Sequence, residues 1–327
     1  MQPFKINVPQ PVLDDLQLRL KNTRWPDEIK DADWDYGTNR EFLKELTTYW
    51  QATYDWRAQE AKLNEFAQFK AEVAGLNLHF LHIEGKGPNP VPLLLVHGWP
   101  DSFFRMVKLI PLLTDPAAHG GRAEDAFTVI VPDLPGYGFS DKPQEAGYGP
   151  RRMADVLAEL MTKTLGYQQY VAHGGDWGSS IVEQLALHHA DALLGIHLTD
   201  VPSSHAKVAD KLPDLSATEK AFVVKNKAWQ EKEAGYQKIQ GTKPETLAYG
   251  LNDSPVGVAG LDYREISRLE RQRRRQYAHL HEGRFAHQRH DLLGDANHRL
   301  VGAAVLRGHA QPHLIGPHAR RGAHGLR

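Results

Sequence analysis

The chain has 327 residues, enough for one large domain or two smaller ones at about 150 residues each. Hydrophobic residues make up 41%, charged residues 24%, and the formal net charge is −1, so no strong field draws in nucleic acid or an anionic membrane and a small neutral partner fits better. There is no cysteine, which excludes disulfides, thiolate metal sites and a cysteine nucleophile.

The first segment, from residue 4 to about 70, carries helical signals. Pro11 suits a first turn, Leu13, Leu16 and Leu20 recur at helical spacing, and Phe42, Leu46, Tyr49 and Trp50 repeat the pattern beyond the loop at residues 34–37. Punctuation at Arg24-Trp25-Pro26-Asp27-Glu28 separates the two helices, and the segment reads as an aromatic-rich structural arm. Near residue 71 the period shortens: Val73, Leu76, Leu78, Phe80 and Ile83, broken by Gly75, Gly85 and Gly87, predict a hairpin.

Four apolar runs follow, at residues 92–96, 127–131, 170–172 and 193–198. Helices are expected between them, one carrying Phe103, Val107 and Ile110, then 153–164 and 179–189. Fully apolar strands alternating with helices indicate a parallel sheet covered on both faces. Met1-Gln2-Pro3-Phe4 shows no basic, apolar leader, and nowhere do about 18 apolar residues run together. The expectation is a cytoplasmic protein without a membrane anchor.

The sharpest chemical signal is Gly174-Gly175-Asp176-Trp177-Gly178, between a predicted strand and a predicted helix. A nucleophile elbow needs small residues on both sides of a strained turn, and here its central slot holds an aspartate. A carboxylate there can attack carbon directly and form an ester. The same residues also read as a turn capping the helix at Ser179. His97-Gly98-Trp99-Pro100 ends an earlier strand, where such folds place a loop donating one backbone amide to an oxyanion hole, with the second amide following the nucleophile. The expected donors are therefore the Trp99 and Trp177 amides. His97, Gly98 and Pro100 position that loop, with a base role for His97 as the alternative. Asp133-Leu134-Pro135-Gly136-Tyr137-Gly138-Phe139-Ser140 is a turn-rich loop without phosphate-binding context.

At these residues the chain resembles the epoxide hydrolases, in the microsomal-type group with an N-terminal arm. The likeness runs from Pro3-Phe4-Lys5-Ile6 through Arg24-Trp25-Pro26 to about residue 260, and includes Gly235-Tyr236-Gln237-Lys238-Ile239-Gln240 and Leu251-Asn252-Asp253-Ser254-Pro255-Val256-Gly257. It implies an α/β-hydrolase fold with a mostly parallel sheet, a helical arm and first hairpin (1–85), a core (86–205), part of a cap (206–260) and an aberrant tail (261–327), the C-terminal strands being missing. It also implies Asp176 as nucleophile and Tyr236 as one of two cap tyrosines that protonate the epoxide oxygen; lid packing is the other reading of Tyr236. A ring oxygen leaving as alkoxide needs an acid, and a phenol supplies one in a dry pocket. The implied substrate is a small apolar epoxide, converted by water to a vicinal diol in detoxification or aromatic-hydrocarbon catabolism, with no metal, no cofactor and no nucleic acid partner.

The family mechanism also requires a histidine base oriented by a carboxylate, and neither is found. Asp200 is a substitute for the acid, while His324 comes too soon after Asp176 and is not assigned. Two rivals stay open. A haloalkane dehalogenase uses the same aspartate ester but has an Asn where this chain has Trp99 and needs no acid like Tyr236; a non-catalytic hydrolase-like protein would explain the missing base.

The tail differs in kind. The last tryptophan is Trp229 and the last lysine Lys243, and no helical or strand period is sustained after about residue 260. Arg271-Gln272-Arg273-Arg274-Arg275 would suit nucleic acid, but no aromatic or metal-ligand spacing accompanies it. Codons for Gly260-Leu261-Asp262-Tyr263-Arg264-Glu265-Ile266-Ser267, read one nucleotide later, permit Ala-Trp-Ile-Ile-Glu-Lys-Phe, and the same shift over 286–296 permits Leu-Thr-Asn-Val-Met-Ile-Tyr-Trp-Val. Both match what the resemblance implies, so the expectation is a frameshift near residue 259 or 260 that removes the second tyrosine, the acid and the histidine.

Overall fold

The change of period near residue 71 becomes a hairpin of β2 (Gln68–Val73) and β3 (Leu76–Ile83), turned at Ala74 and Gly75, both at positive φ. The computed structural model describes residues 1–202, 205 and 214–262. These form two compact units, one of Met1–Lys5 with Phe66–Ala248, the other of Ile6–Glu65 with the described residues from 249 onward.

In the first unit, β1 (Gln2–Phe4), the hairpin, β4 (Val91–Val96), β5 (Phe127–Pro132), β6 (Tyr170–Gly174) and β7 (Leu193–Leu198) make a seven-stranded sheet in the order β1-β2-β3-β5-β4-β6-β7. The sheet is mixed: β1, β2, β3 and β5 pair antiparallel in sequence, while β5, β4, β6 and β7 pair parallel. Leu94 pairs with Ile130 on one side and Ala172 on the other, all three fully buried; burying a Leu or Ile side chain contributes about 1.5–3 kcal/mol. Helices α5 (Pro150–Glu159), continuing as a π-helical turn to Thr164, and α6 (Trp177–His188) bury Met153, Leu157, Leu160, Ile181, Val182 and Leu185 in the same core.

The helix expected through Phe103, Val107 and Ile110 is broken instead into a 3₁₀ turn, Phe103–Met106, and a short α4, Ile110–Thr114. Pro111 explains the break: it lacks an amide hydrogen and is tolerated only where a new first turn begins. Coverage of both sheet faces fails at β7, the last strand among the described residues, where Leu194 and Ile196 are exposed. Beyond the undescribed stretch come α7 (Ala217–Lys232), α8 (Gly235–Gln240) and α9 (Pro244–Asp253).

The second unit holds α1 (Gln10–Lys21) and α2 (Arg40–Ala52), with Leu13, Leu20, Leu43, Leu46 and Trp50 buried, and a further helix α3 (Trp56–Leu63) that the sequence reading did not separate. Asp55 caps α3 by accepting the Ala58 amide. Its buried Glu60 is fully engaged, accepting from the Val8 amide at 2.7 Å, the Trp56 indole at 3.2 Å and Arg57 at 2.6 Å. The tail expected to lack strands lies, from residue 263 on, outside the described residues.

Candidate active site

Register brings the site together. Val96 of β4 pairs with Gly174 of β6, and Gly174 pairs with Leu198 of β7, so the loops at His97-Gly98-Trp99, Gly175-Asp176-Trp177 and Thr199-Asp200 emerge side by side at the carboxyl ends of three parallel strands. This is where open α/β sheets hold their ligands. Asp176 sits there at φ 58° and ψ −123°, a conformation that costs an ordinary residue about 1–3 kcal/mol and persists only when its surroundings enforce it. The enforcement is visible. A side chain at Gly178 would collide with the Val96 carbonyl, and one at Gly98 with the Asp176 carboxylate. The Asp176 amide donates to Asp200 Oδ1 at 2.8 Å, and the Ser179 hydroxyl donates to the same oxygen at 2.9 Å.

The Trp99 amide donates to Asp176 Oδ1 at 2.8 Å. Although solvent reaches Asp176, protein crowds its carboxyl, and this desolvation pushes it up to about 6 against the lowering effect of the Trp99 and Trp177 amides; the Asp200 charge adds to the rise. With a value of about 6, the carboxylate is largely ionised at neutral pH. Arg105, paired with Asp101, is held above its ordinary value despite the cost of burial, with Asp176 and Asp200 contributing at longer range.

His97 is fully buried and both ring nitrogens are engaged. The Leu134 amide can only donate, so Nε2 accepts it at 3.0 Å, which leaves the proton on Nδ1 for the Gly98 carbonyl at 2.9 Å. Burial also pulls its pKa down. A histidine so locked ties the loop of Gly98 to the loop of Leu134 and offers no nitrogen to a water. Tyr236, the first turn of α8, stacks on the Trp99 indole with centroids 5.3 Å apart and planes 17° from parallel, and its hydroxyl accepts from Gln237 Nε2 at 3.1 Å.

Residues 1–106 match the family model described as epoxide hydrolase N terminus, and residues 91–223 that described as alpha/beta hydrolase fold. A protein of Stigmatella aurantiaca (strain DW4/3-1) that carries an epoxide hydrolase name is 47% identical over 266 residues, 81% of this chain and 59% of that protein. Epoxide hydrolase 1 of Sus scrofa is 37% identical over 275 residues, 79% of this chain and 60% of that protein. The crystal structure of juvenile hormone epoxide hydrolase from the silkworm Bombyx mori aligns with a TM-score of 0.69 at 29% identity, covering 95% of this chain and 76% of that one. The chain belongs to the epoxide hydrolase family. It has the α/β-hydrolase fold, and it spans 59–60% of the length of these two curated relatives.

In this epoxide hydrolase family member the sequence motifs, Asp176, Trp99, Trp177 and Tyr236, all fall in the one unit, and Trp99 contacts both Asp176 and Tyr236. Asp200, considered in the sequence as a stand-in acid, accepts at its Oδ1 from the Asp176 amide, the Ser179 hydroxyl and, at 3.2 Å, the Thr199 hydroxyl. Thr199 and the Ser179–Asp200 bond escaped the sequence reading; the available signal was that Asp200 follows its strand just as Asp176 follows its own. Among the described residues no histidine hydrogen-bonds Asp176, the histidine–carboxylate contacts being those of His79 and His97 with Asp133, His189 with Asp155, and His205 with Glu183. His324 lies outside the described residues, and the second tyrosine, the acid and the base that the resemblance calls for are assigned to no residue of this chain. Among the described residues no three His, Cys, Asp or Glu side chains could hold a metal ion, and no helix is long and apolar enough to cross a membrane.

Proposed function

We propose that this chain carries the ring-opening half of epoxide hydrolysis, with Asp176 as nucleophile. Asp176 Oδ2 attacks an epoxide carbon, the C–O bond of the strained ring breaks, and the departing oxygen takes the Tyr236 phenol proton. Water addition to the resulting ester would place negative charge on Oδ1, where the Trp99 and Trp177 amides act as the oxyanion hole. His97, Gly98 and Pro100 hold that loop. The observation carrying the reading is that Trp99 gives its amide to Asp176 Oδ1 and its ring to Tyr236, so nucleophile, charge-stabilising donor and acid share one anchor. Gln237 donating to the phenol oxygen polarises its O–H, which suits an acid.

The substrate class is a small apolar epoxide and the complete product a vicinal diol. With His97 locked, ester formation is expected without efficient hydrolysis, giving at most one turnover. Incubation with an epoxide and with the matching chloroalkane tests the reading. A hydroxyalkyl ester from the epoxide and no chloride from the halide is the expected result; stoichiometric chloride release would replace it with dehalogenation.

A further inference from the structure

The sequence motif assigns Trp99 a role through its backbone only, and the structure gives its side chain a separate contact. The Trp99 amide is fixed on Asp176 Oδ1 at 2.8 Å, Gly98 before it is pressed against the same carboxylate, and the Asp101 amide closes a turn onto the Gly98 carbonyl at 3.1 Å. The indole therefore leaves a backbone whose orientation is set by the end of β4 and by the nucleophile itself. On its own element Tyr236 is held at the hydroxyl, which accepts from Gln237. α8 is six residues long and none of its residues is buried, whereas the half-buried Tyr236 ring lies 17° from parallel with the half-buried indole.

We infer that the Trp99 indole is a positioning residue for the acid: stacking on it sets where the Tyr236 phenol stands relative to Asp176. This rests on the ring-opening reading above. The stack ties the acid to the nucleophile by a chain of two contacts, phenol ring to indole and indole backbone to carboxylate, so a shift of the cap is not free to carry the acid away. An aromatic pair of this geometry is worth roughly a 2- to 13-fold population bias, and a misplacement of about 1 Å in a reacting group can cost about 10²-fold in rate.

The test compares W99L, W99F, Y236F and W99L/Y236F in the full 327-residue chain, reading the rate constant of ester formation on Asp176 separately from the apparent substrate affinity. W99L keeps the amide and loses the platform. It should slow ester formation about 10- to 100-fold with affinity changed less than about 3-fold; W99F should recover most of that loss; and W99L should add less than about 2-fold on the Y236F background, because no acid remains to be misplaced. Full additivity of W99L and Y236F, or equal rates in W99L and W99F, would overturn the inference. Near-ultraviolet circular dichroism reads the stack without activity: W99L and Y236L should remove the same band, and independent losses would overturn it. If the unaltered chain forms no ester while the band behaves as expected, the ring-opening reading fails and the stack stands.

Discussion

At the scale of single residues, the proposed nucleophile Asp176 implies a pH dependence. Desolvation pushes its carboxyl up to about 6, and only the carboxylate attacks carbon, so the rate of ester formation should rise about tenfold per pH unit at low pH, bend near 6 and level off above it. A stopped-time pH profile checks this; a bend near 4 would mean that water screens the carboxylate fully. The sign for stability is the reverse of the usual Asp case. Because the folded value lies above the unfolded one, the ionised form is disfavoured by folding from about pH 4 upward, most fully above pH 6. D176N should therefore abolish ester formation while raising the denaturation midpoint at pH 7; a lowered midpoint would show that the carboxylate is held favourably. Y236F should lose about 10- to 10⁴-fold, the span of an acid's contribution, whereas an unaltered rate would mean that Tyr236 only packs. Short motifs singled out Asp176, Trp99 and Tyr236, and Trp99 contacts both of the others; their roles remain proposals. The clamp by Asp200 and Ser179 was not singled out, since it depends on the pairing of Gly174 with Leu198, and the place of Asp200 just after its strand was the one local sign of it.

Among elements, the loop after β5 is tied to β3 by a buried pair. His79 Nδ1 lies 2.8 Å from Asp133 Oδ2 and Nε2 lies 3.0 Å from Gln68 Oε1, both partners of the pair being fully buried. Asp133 also accepts the Phe103 and Phe139 amides, each at 2.9 Å. Burial alone would raise the Asp133 carboxyl, yet the His79 contact, the nearby His97 and the Phe103 amide bring it below its ordinary value. Its contribution is thus present above the unfolded value of about 4 and lost as pH falls through the lower folded value. Breaking such a pair typically costs about 3–5 kcal/mol, so D133N should unfold at markedly lower urea, and a change under about 1 kcal/mol would mean that the loop repacks. Strands β4 to β7 were readable from unbroken apolar runs and the hairpin from its glycines, whereas the three-residue β1 carries no such run and was not read. The 103–114 region was misread because Pro111 was not weighed as a helix start, and α3 because its eight residues carry little amphipathic period, though Asp55 was available as a cap.

On the scale of the whole molecule, β7 is the edge strand, among the described residues, that leaves large apolar side chains exposed. Leu194 and Ile196 are 54% and 42% exposed, and an apolar sheet edge invites pairing between chains. L194K/I196K should raise soluble, monomeric yield by light scattering; a fall in yield would show that these side chains are covered in solution. The tail is a separate matter. Its loss of period, its want of lysine and tryptophan and the family-like residues hidden one nucleotide away support a shifted frame near residue 260, and DNA sequence across that codon decides it, an intact frame being the contrary result.

In the proposed chemistry Asp176 opens an epoxide by forming an ester. Mass spectrometry of the chain after incubation with a reactive epoxide measures it directly, with diol counted in the same tube. The expected result is one hydroxyalkyl group on the peptide spanning residues 174–178, absent in D176A, and no more than about one diol per chain. Sustained diol production, or an adduct that persists in D176A, would contradict it.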